Sequence, residues 1–278
     1  QKFAGEAPRR MIKRTTFDKV DLLLIDTDLN ARQGVRTILL NNGFREITQG
    51  SDITRLRDIL TRTMPDILLC GTEFPDGSIF DVIRDIRHNR LGNNPFMPII
   101  VFLDEPTPAL VAKVMNSGAD DVTMKPISTK ALMDRLDTQI NNRRPYIVTD
   151  DYVGPARRGD NTANAIHPPN PLQAKSYGGK LDFVEIQRGI DEAQTAVESK
   201  RLQNIGPEIS ALVGKLVPML DKPAVSPAAA GGLQMLIDIN RETITRLEGS
   251  KFDHVISLCL AMIKVSESIS QKVGDSPD

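Results

Sequence analysis

The chain has 278 residues, 35 of them basic and 36 acidic, with a formal net charge of −1 and two cysteines. That length predicts two domains of ordinary size, and the near balance of charge argues against the bulk basicity on which non-specific nucleic-acid binding rests. Cys70 and Cys259 lie far apart inside apolar runs, the pattern of buried thiols in a reducing compartment and not of a disulfide framework.

In chain order, the polar stretch 1–17, interrupted by Met11, reads as a disordered arm or an expression remnant outside the fold. From 18 to 144 strands and helices alternate. Val20 to Asp26 (VDLLLID) is a continuous apolar run ending in an acid, as for a strand buried on both faces of a parallel sheet. Val35, Ile38 and Leu39 recur at helical spacing, and Gly43 stops that helix. Further strands are predicted at Phe44–Thr48, Asp66–Cys70, Pro98–Leu103 and Asp120–Met124. Helices are predicted at Ile53–Arg62, Ser78–His88, Pro108–Asn116 and Ser128–Asn142. Five such units imply a doubly wound α/β sandwich, with its functional crevice at the carboxyl ends of the strands.

Residues 145–180 are rich in proline and glycine and lack periodicity, so they read as an extended linker. From 181 to 273 the apolar positions take helical spacing. Phe183, Ile186, Ile190, Ala193 and Val197 define one helix. Ile209, Leu212, Val213, Leu216 and Leu220 define a second, after Gly206 and Pro207 and before Pro223. Leu233, Leu236, Ile237, Ile244 and Leu247 define a third, ended by Gly249, and Phe252, Val255, Ile256, Cys259, Ile263 and Ile269 a fourth. The fold class is therefore α/β plus all-α: a five-stranded parallel sheet followed by an approximately four-helix bundle, completed within the chain or by a second copy in a homodimer through the first helix.

The segments LLLIDTD, PDILLCGTEFPDGSIFDVIRDIR, PIIVFLD and GADDVTMKPIS resemble, in order and spacing, the motifs of response-regulator receiver domains over about Val20 to Asn142. The stretch Gly118 to Pro126 is the most distinctive. The resemblance implies a magnesium ion held between an acidic pair after the first strand and a phosphoacceptor aspartate after the third, because phosphoryl transfer needs a cation to neutralise developing charge. Here the pair is Asp26 and Thr27, and the acceptor position falls on Gly71. The hydroxyl residue ending the fourth strand is matched by Leu103 and the aromatic switch residue of the fifth by Val122. Asp26 and Lys125 alone remain of the family's set. The expectation is a pseudo-receiver without catalysis, cofactor or obligatory metal, acting in a bacterial two-component pathway by docking other signalling proteins. Glu73, Asp76 and Asp104, on loops at the same sheet edge, read as ordinary solvated loop acids; the sharper alternative is Glu73 reaching Lys125 as a built-in phosphoryl mimic. The Lys125–Pro126 bond is cis in relatives.

Two other readings compete. Histidine phosphotransfer domains are four-helix bundles with an exposed histidine, and His254 is expected to face solvent; its FDHVISLC neighbourhood lacks the lysine and glycine of that family. The runner-up is thus a phosphorelay component acting through His254 or through an unconventional acceptor near Asp26. The pairs Arg143 with Arg144 and Arg157 with Arg158 suggest a sensor of a cyclic dinucleotide or other anion, since guanidinium forks match phosphate oxygens. His88 and His167 have no neighbour at zinc-ligand spacing, and the helical half offers no basic recognition helix for a specific nucleic acid. No run reaches the roughly 20 apolar residues of a membrane span, and no apolar core of a secretory signal stands at the N-terminus, so the expected location is cytoplasmic.

Overall fold

The computed structural model describes residues 15–149, 152–179, 182–220, 227–247 and 252–274; the arm read at 1–17 falls almost wholly outside them, as do Pro223 and Gly249. The chain divides into two compact units, one of Gln1–Pro145, Gly154–Arg157 and Pro168–Ile190, the other of Tyr146–Val153, Arg158–His167 and Asp191–Asp278.

In the first unit β1 (Leu22–Ile25), β2 (Ile47–Gly50), β3 (Ile67–Cys70), β4 (Ile99–Leu103) and β5 (Asp121–Met124) form a parallel sheet in the order β2-β1-β3-β4-β5. Between and after them run α1 (Leu29–Asn41), α2 (Ile53–Arg62), α3 (Ile79–Arg87), α4 (Pro108–Ser117) and α5 (Thr129–Asn141). Every residue of β1, β3 and β4 is buried, because successive side chains point to opposite faces and both faces are covered. Leu22 and Leu24 pack with Val35 and Leu39 of α1 and with Leu132 and Leu136 of α5. Leu23 and Ile25 pack with Leu56 of α2, Ile83 of α3 and Val114 of α4.

Side-chain caps fix the helix starts. Asp28 accepts from the amides of Asn30 and Ala31, Asp52 from that of Arg55, and Ser128 from that of Ala131, each satisfying donors that a helix N-terminus leaves open. The C-terminus of α1 corrects one strand boundary. Phe44, read as the start of a strand, instead closes α1: Gly43, at φ 98°, donates to the Leu40 carbonyl and Phe44 to that of Leu39. The Phe44 ring is buried against Phe17, centroids 4.5 Å apart. This is a glycine-centred helix stop with its hydrophobic contact, and pairing with β1 begins only at Ile47.

The distinctive Gly118–Asp121 stretch has a structural explanation. Gly118 ends α4 at φ 101°, and Asp120 meets Arg87 at 2.6 Å with both side chains buried. Arg87 also donates to the carbonyls of Gly118, Pro95 and Met97, while Asp120 accepts from the Ile99 amide. Such a pair is tolerable in a core only with its remaining hydrogen-bonding capacity filled.

Within 145–180, read as an extended connection, the chain forms β6 (Tyr146–Val148), β7 (Val153–Pro155) and α6 (Pro171–Ser176). Leu172 enters the α1/α5 core, and Lys175 reaches Asp21 and Asp66, at 2.5 and 2.6 Å, at the amino ends of β1 and β3. Burial pushes the Asp66 carboxyl above the ordinary range, against the pull of Lys175.

Among the described residues three helices run through the C-terminal region: α7 (Phe183–Leu220), α8 (Pro227–Leu247) and α9 (Asp253–Gly274). The two stretches read as separate helices on either side of Pro207 are one helix, α7. Proline removes one backbone bond, yet α7 runs through both Pro207 and Pro218; before Pro207 stands Gly206, which has no Cβ for the ring to meet. The apolar period meanwhile continues from Val197, buried, to Leu216, which packs on Leu233 and Leu236 of α8. Phe183, read as part of the first helix's apolar stripe, is exposed.

Candidate functional site

The sheet order places its switch point between β1 and β3. Ile25 stands in register with Cys70, so Asp26 and Gly71 leave the sheet side by side, and Leu103 and Lys125 arrive on β4 and the β5–α5 loop. The Asp26 side chain, 3% exposed, meets the Lys125 Nζ at 2.8 Å, and its Oδ1 accepts from the Asp28 amide at 2.9 Å. Lys125 also reaches Asp104 at 3.3 Å. Burial draws the Lys125 ammonium down, but Asp26 and then Asp104 outweigh it and hold its pKa above the ordinary value.

Gly71 carries the central geometric fact. A Cβ built on it would lie 2.7 Å from Asp26 Oδ2 and 2.9 Å from Asp26 Cγ. The carboxylate of Asp26 therefore occupies the volume that a side chain at position 71 would enter. Close approach of a charged group to the main chain is what an absent Cβ permits.

The neighbouring groups are committed elsewhere. Thr27 donates its hydroxyl to the Glu73 carbonyl at 3.1 Å. Arg32 donates to the carbonyls of Asp26 and Thr27. Leu103 is buried, and Val122 is half-buried against the core. The Lys125–Pro126 bond is cis. Cys70 is buried, and burial together with the Asp26 charge pushes its thiol up. Among the described residues no group of three His, Cys, Asp or Glu side chains is placed to hold a metal ion. Asp26, already bound by an ammonium and an amide, does not with the neutral Thr27 make the oxygen-rich set a divalent ion requires.

Residues 7–137 match the model of the response regulator receiver domain. This part of the chain has the receiver fold. The phosphate regulon transcriptional regulatory protein PhoB of Escherichia coli is 22% identical over 129 residues, 46% of this chain and 55% of its own length. The transcriptional regulatory protein GltR of Pseudomonas aeruginosa is 30% identical over 118 residues, 41% of this chain and 46% of its own. The chain thus spans about half the length of the curated relatives it matches. A solved receiver domain from Bermanella marisrubri is 25% identical, with 44% of this chain and 98% of that one covered and a TM-score of 0.39. Helices α7 to α9 lie outside the receiver match.

Two expectations and one alternative change at the receiver. Glu73 does not reach Lys125, whose carboxylate partners are Asp26 and Asp104; its carbonyl serves Thr27 instead. Asp76, read as a loop acid, accepts from the amides of Ile53 and Thr54, which hold its carboxyl below the ordinary range and fasten the β3–α3 loop to α2. Arg143 donates to the carbonyls of Pro169 and Phe96, and Arg157 to the carbonyl of Met115 and the Asn116 side chain. Arg144 and Arg158 are exposed. The adjacent arginines thus point to different tasks, and one of each pair fastens chain segments together. Sequence reasoning missed Asp104 as a partner of Lys125 and Lys175 as a clamp; the clamp has no local signal, since its carboxylates are 109 and 154 residues away.

Beside Lys125 a cavity of about 470 Å³ opens between α1 and the β5–α5 loop, walled by Val35, Ile38 and Ile127, with Asp28 and Asp104 at its polar end. In the helical region His254 is exposed in the first turn of α9, its ring 6.3 Å from that of Phe252. No helix among the described residues is long and apolar enough to cross a membrane.

Proposed function

We propose that this chain is a pseudo-receiver: a phosphorylation-independent, non-catalytic interaction protein of a bacterial two-component pathway, acting in the cytoplasm on other signalling proteins and self-associating through its helical region. One observation carries the reading. The carboxylate that leaves β1 beside β3, Asp26, is folded into the space above Gly71 and paired with Lys125. Asp26 is thus not free to attack phosphorus, and the ammonium that would stabilise a phosphoryl group is already satisfied. Leu103 and Val122 offer neither the hydroxyl nor the ring that would answer to such a group. A receiver of this kind holds one state, and its helical faces present a constant surface.

Transcriptional regulation, named for PhoB and GltR, is not carried over, since about half of each relative is unmatched and the helical half lacks a basic recognition helix. His254 favours a second reading, phosphotransfer, through its exposure alone.

The test is incubation of the full chain with acetyl phosphate or phosphoramidate and magnesium, beside an ordinary receiver, read by intact-mass and peptide mass spectrometry under conditions that preserve acyl phosphates and phosphohistidine. The expected result is no modified residue while the control is labelled. A phosphoryl group on any carboxylate in 18–144 overturns the reading, and one on His254 replaces it with the phosphorelay.

A further inference from the structure

The helical region leaves an apolar groove open. Its floor is Leu216 of α7 with Leu233 and Leu236 of α8. Its walls are Val213, Val217 and Leu220 of α7 and Met262, Val265 and Ile269 of α9, and its volume is about 380 Å³. Along α9 the row begins one turn earlier at Leu258, so Leu258, Met262, Val265 and Ile269 recur at steps of four, three and four. Val213, Val217 and Leu220 recur at four and three. That is the seam spacing of packed helices. Each wall is therefore one side of a helix–helix contact, and the groove fits another helix.

The lips of the groove are exposed: Val217 at 52%, Val265 at 59% and Leu258 at 62%. Isolated exposed apolar residues are ordinary; a contiguous set around a hollow marks an interaction face.

We infer that this groove is where two copies of the chain pair. Charge is the first reason. The outward side of α7 beside the groove carries Gln203, Pro207, Ser210 and Gly214, and Glu267 on α9 is bound to Arg241 at 3.0 Å. The face offers no net charge to select a charged partner, and apposing it on itself buries no like charges. Shape is the second. The same patch holds both the projecting valines and the hollow that takes them, which is what a two-fold contact using one surface twice requires. Area sets the strength. From Leu258 to Ile269 α9 runs about 18 Å, and two neighbouring helices span roughly 20 Å. The face therefore covers on the order of 350 Å² per copy, or about 700 Å² in total, which fits a weak and reversible contact. A Cβ at Gly206 or Gly214 would meet nothing within 4 Å, so both positions leave room for a partner backbone. The contact thus lies on the C-terminal half of α7 and on α9, not on the Phe183–Val197 stretch, where Ile190, Ala193 and Val197 are already buried.

This inference rests on the self-association proposed above and not on the chemistry of the receiver. Sedimentation equilibrium of the full chain over a range of concentrations, alone and as Val217→Glu/Val265→Glu, tests it. Both positions are exposed, so circular dichroism should show unchanged helix content and melting. The expected result is a reversible dimer that the double variant weakens roughly a hundredfold or more, the effect of burying four unpaired carboxylates per pair. A wild-type dimer that the double variant leaves intact overturns the groove but spares self-association. A wild-type chain that stays monomeric throughout overturns both, whatever other protein binds it.

Discussion

Gly71→Ala tests whether Asp26 truly fills the receiver's site. The new Cβ would lie 2.7 Å from Oδ2, 2.9 Å from Cγ and 3.2 Å from Oδ1 of Asp26. An unstrained contact is about 3.5 Å, so the carboxylate must retreat by roughly 0.8 Å. It cannot do so freely, since one oxygen is held by Lys125 at 2.8 Å and the other by the Asp28 amide at 2.9 Å. Overpacking of this kind costs about 1–3 kcal/mol, while replacing glycine by alanine at a backbone angle any residue adopts returns about 0.4–1 kcal/mol through the unfolded chain. The expected net loss is about 1–2 kcal/mol. In an Asp26→Ala background the obstacle is gone, and the same substitution should change sign, stabilising by up to about 1 kcal/mol. The coupling energy, about 2 kcal/mol, well exceeds the few tenths found for independent sites. Hydrogen exchange of the β1 and β3 amides measures it in the full chain without assuming that both units unfold together. Equal effects of Gly71→Ala in the two backgrounds would refute the filled-site geometry.

Two further predictions concern buried charges. Lys125→Met leaves the Asp26 carboxylate buried without its counter-charge and should cost about 3 kcal/mol; because Asp26 and Asp104 raise the Lys125 pKa above 10.5, its contribution is complete at neutral pH and lost as pH rises through that raised value. Exchange-derived stability should therefore fall above about pH 10 in the wild type more than in the variant, and parallel curves would contradict the pairing. Lys175→Ala should cost about 2–4 kcal/mol at pH 7 by stranding Asp66. Asp66 already titrates above 3.8 when folded, and losing the lysine raises it further. The variant's deficit should then be small near pH 4, where the carboxyl is protonated, and grow toward pH 7, which urea unfolding at the two pH values checks.

Much of the receiver was legible because its signals are local. Continuous apolar runs report strands covered on both faces, and β1, β3 and β4 fall where those runs lie. Capping residues at Asp28, Asp52 and Ser128 and a glycine stop at Gly43 set helix ends with groups only two or three residues apart. Phe44 misled because a buried aromatic after a helix-stopping glycine has the same composition whether it opens a strand or closes the helix. Pro207 misled because proline usually ends a helix, yet α7 carries two prolines, Pro207 and Pro218, within it. The segment 145–180 gave no periodic signal, since what folds it is long-range: Leu172 in the α1/α5 core, Lys175 on Asp21 and Asp66, and Arg143 and Arg157 on distant carbonyls.

At the site, alignment of motifs locates the missing groups but not what replaced them. A glycine at position 71 is compatible with an open pocket awaiting another acid, or with a closed one. The distinction depends on where the Asp26 side chain goes, and that is decided by three contacts from separate loops: Lys125, the Asp28 amide and the bare Cα of Gly71. The bare Cα at 71 and the inward fold of Asp26 go together, since a Cβ there would lie 2.7 Å from Oδ2. An aspartate placed at position 71 meets a carboxylate already in place, so two buried acids would share one ammonium, and the substitution does not by itself make a phosphoacceptor. Gly71→Asp should therefore destabilise the receiver more than Gly71→Ala does and remain unlabelled by acetyl phosphate. Efficient labelling of that single variant would show that Asp26 yields its place readily, and that the closed site is a resting position instead of a fixed one.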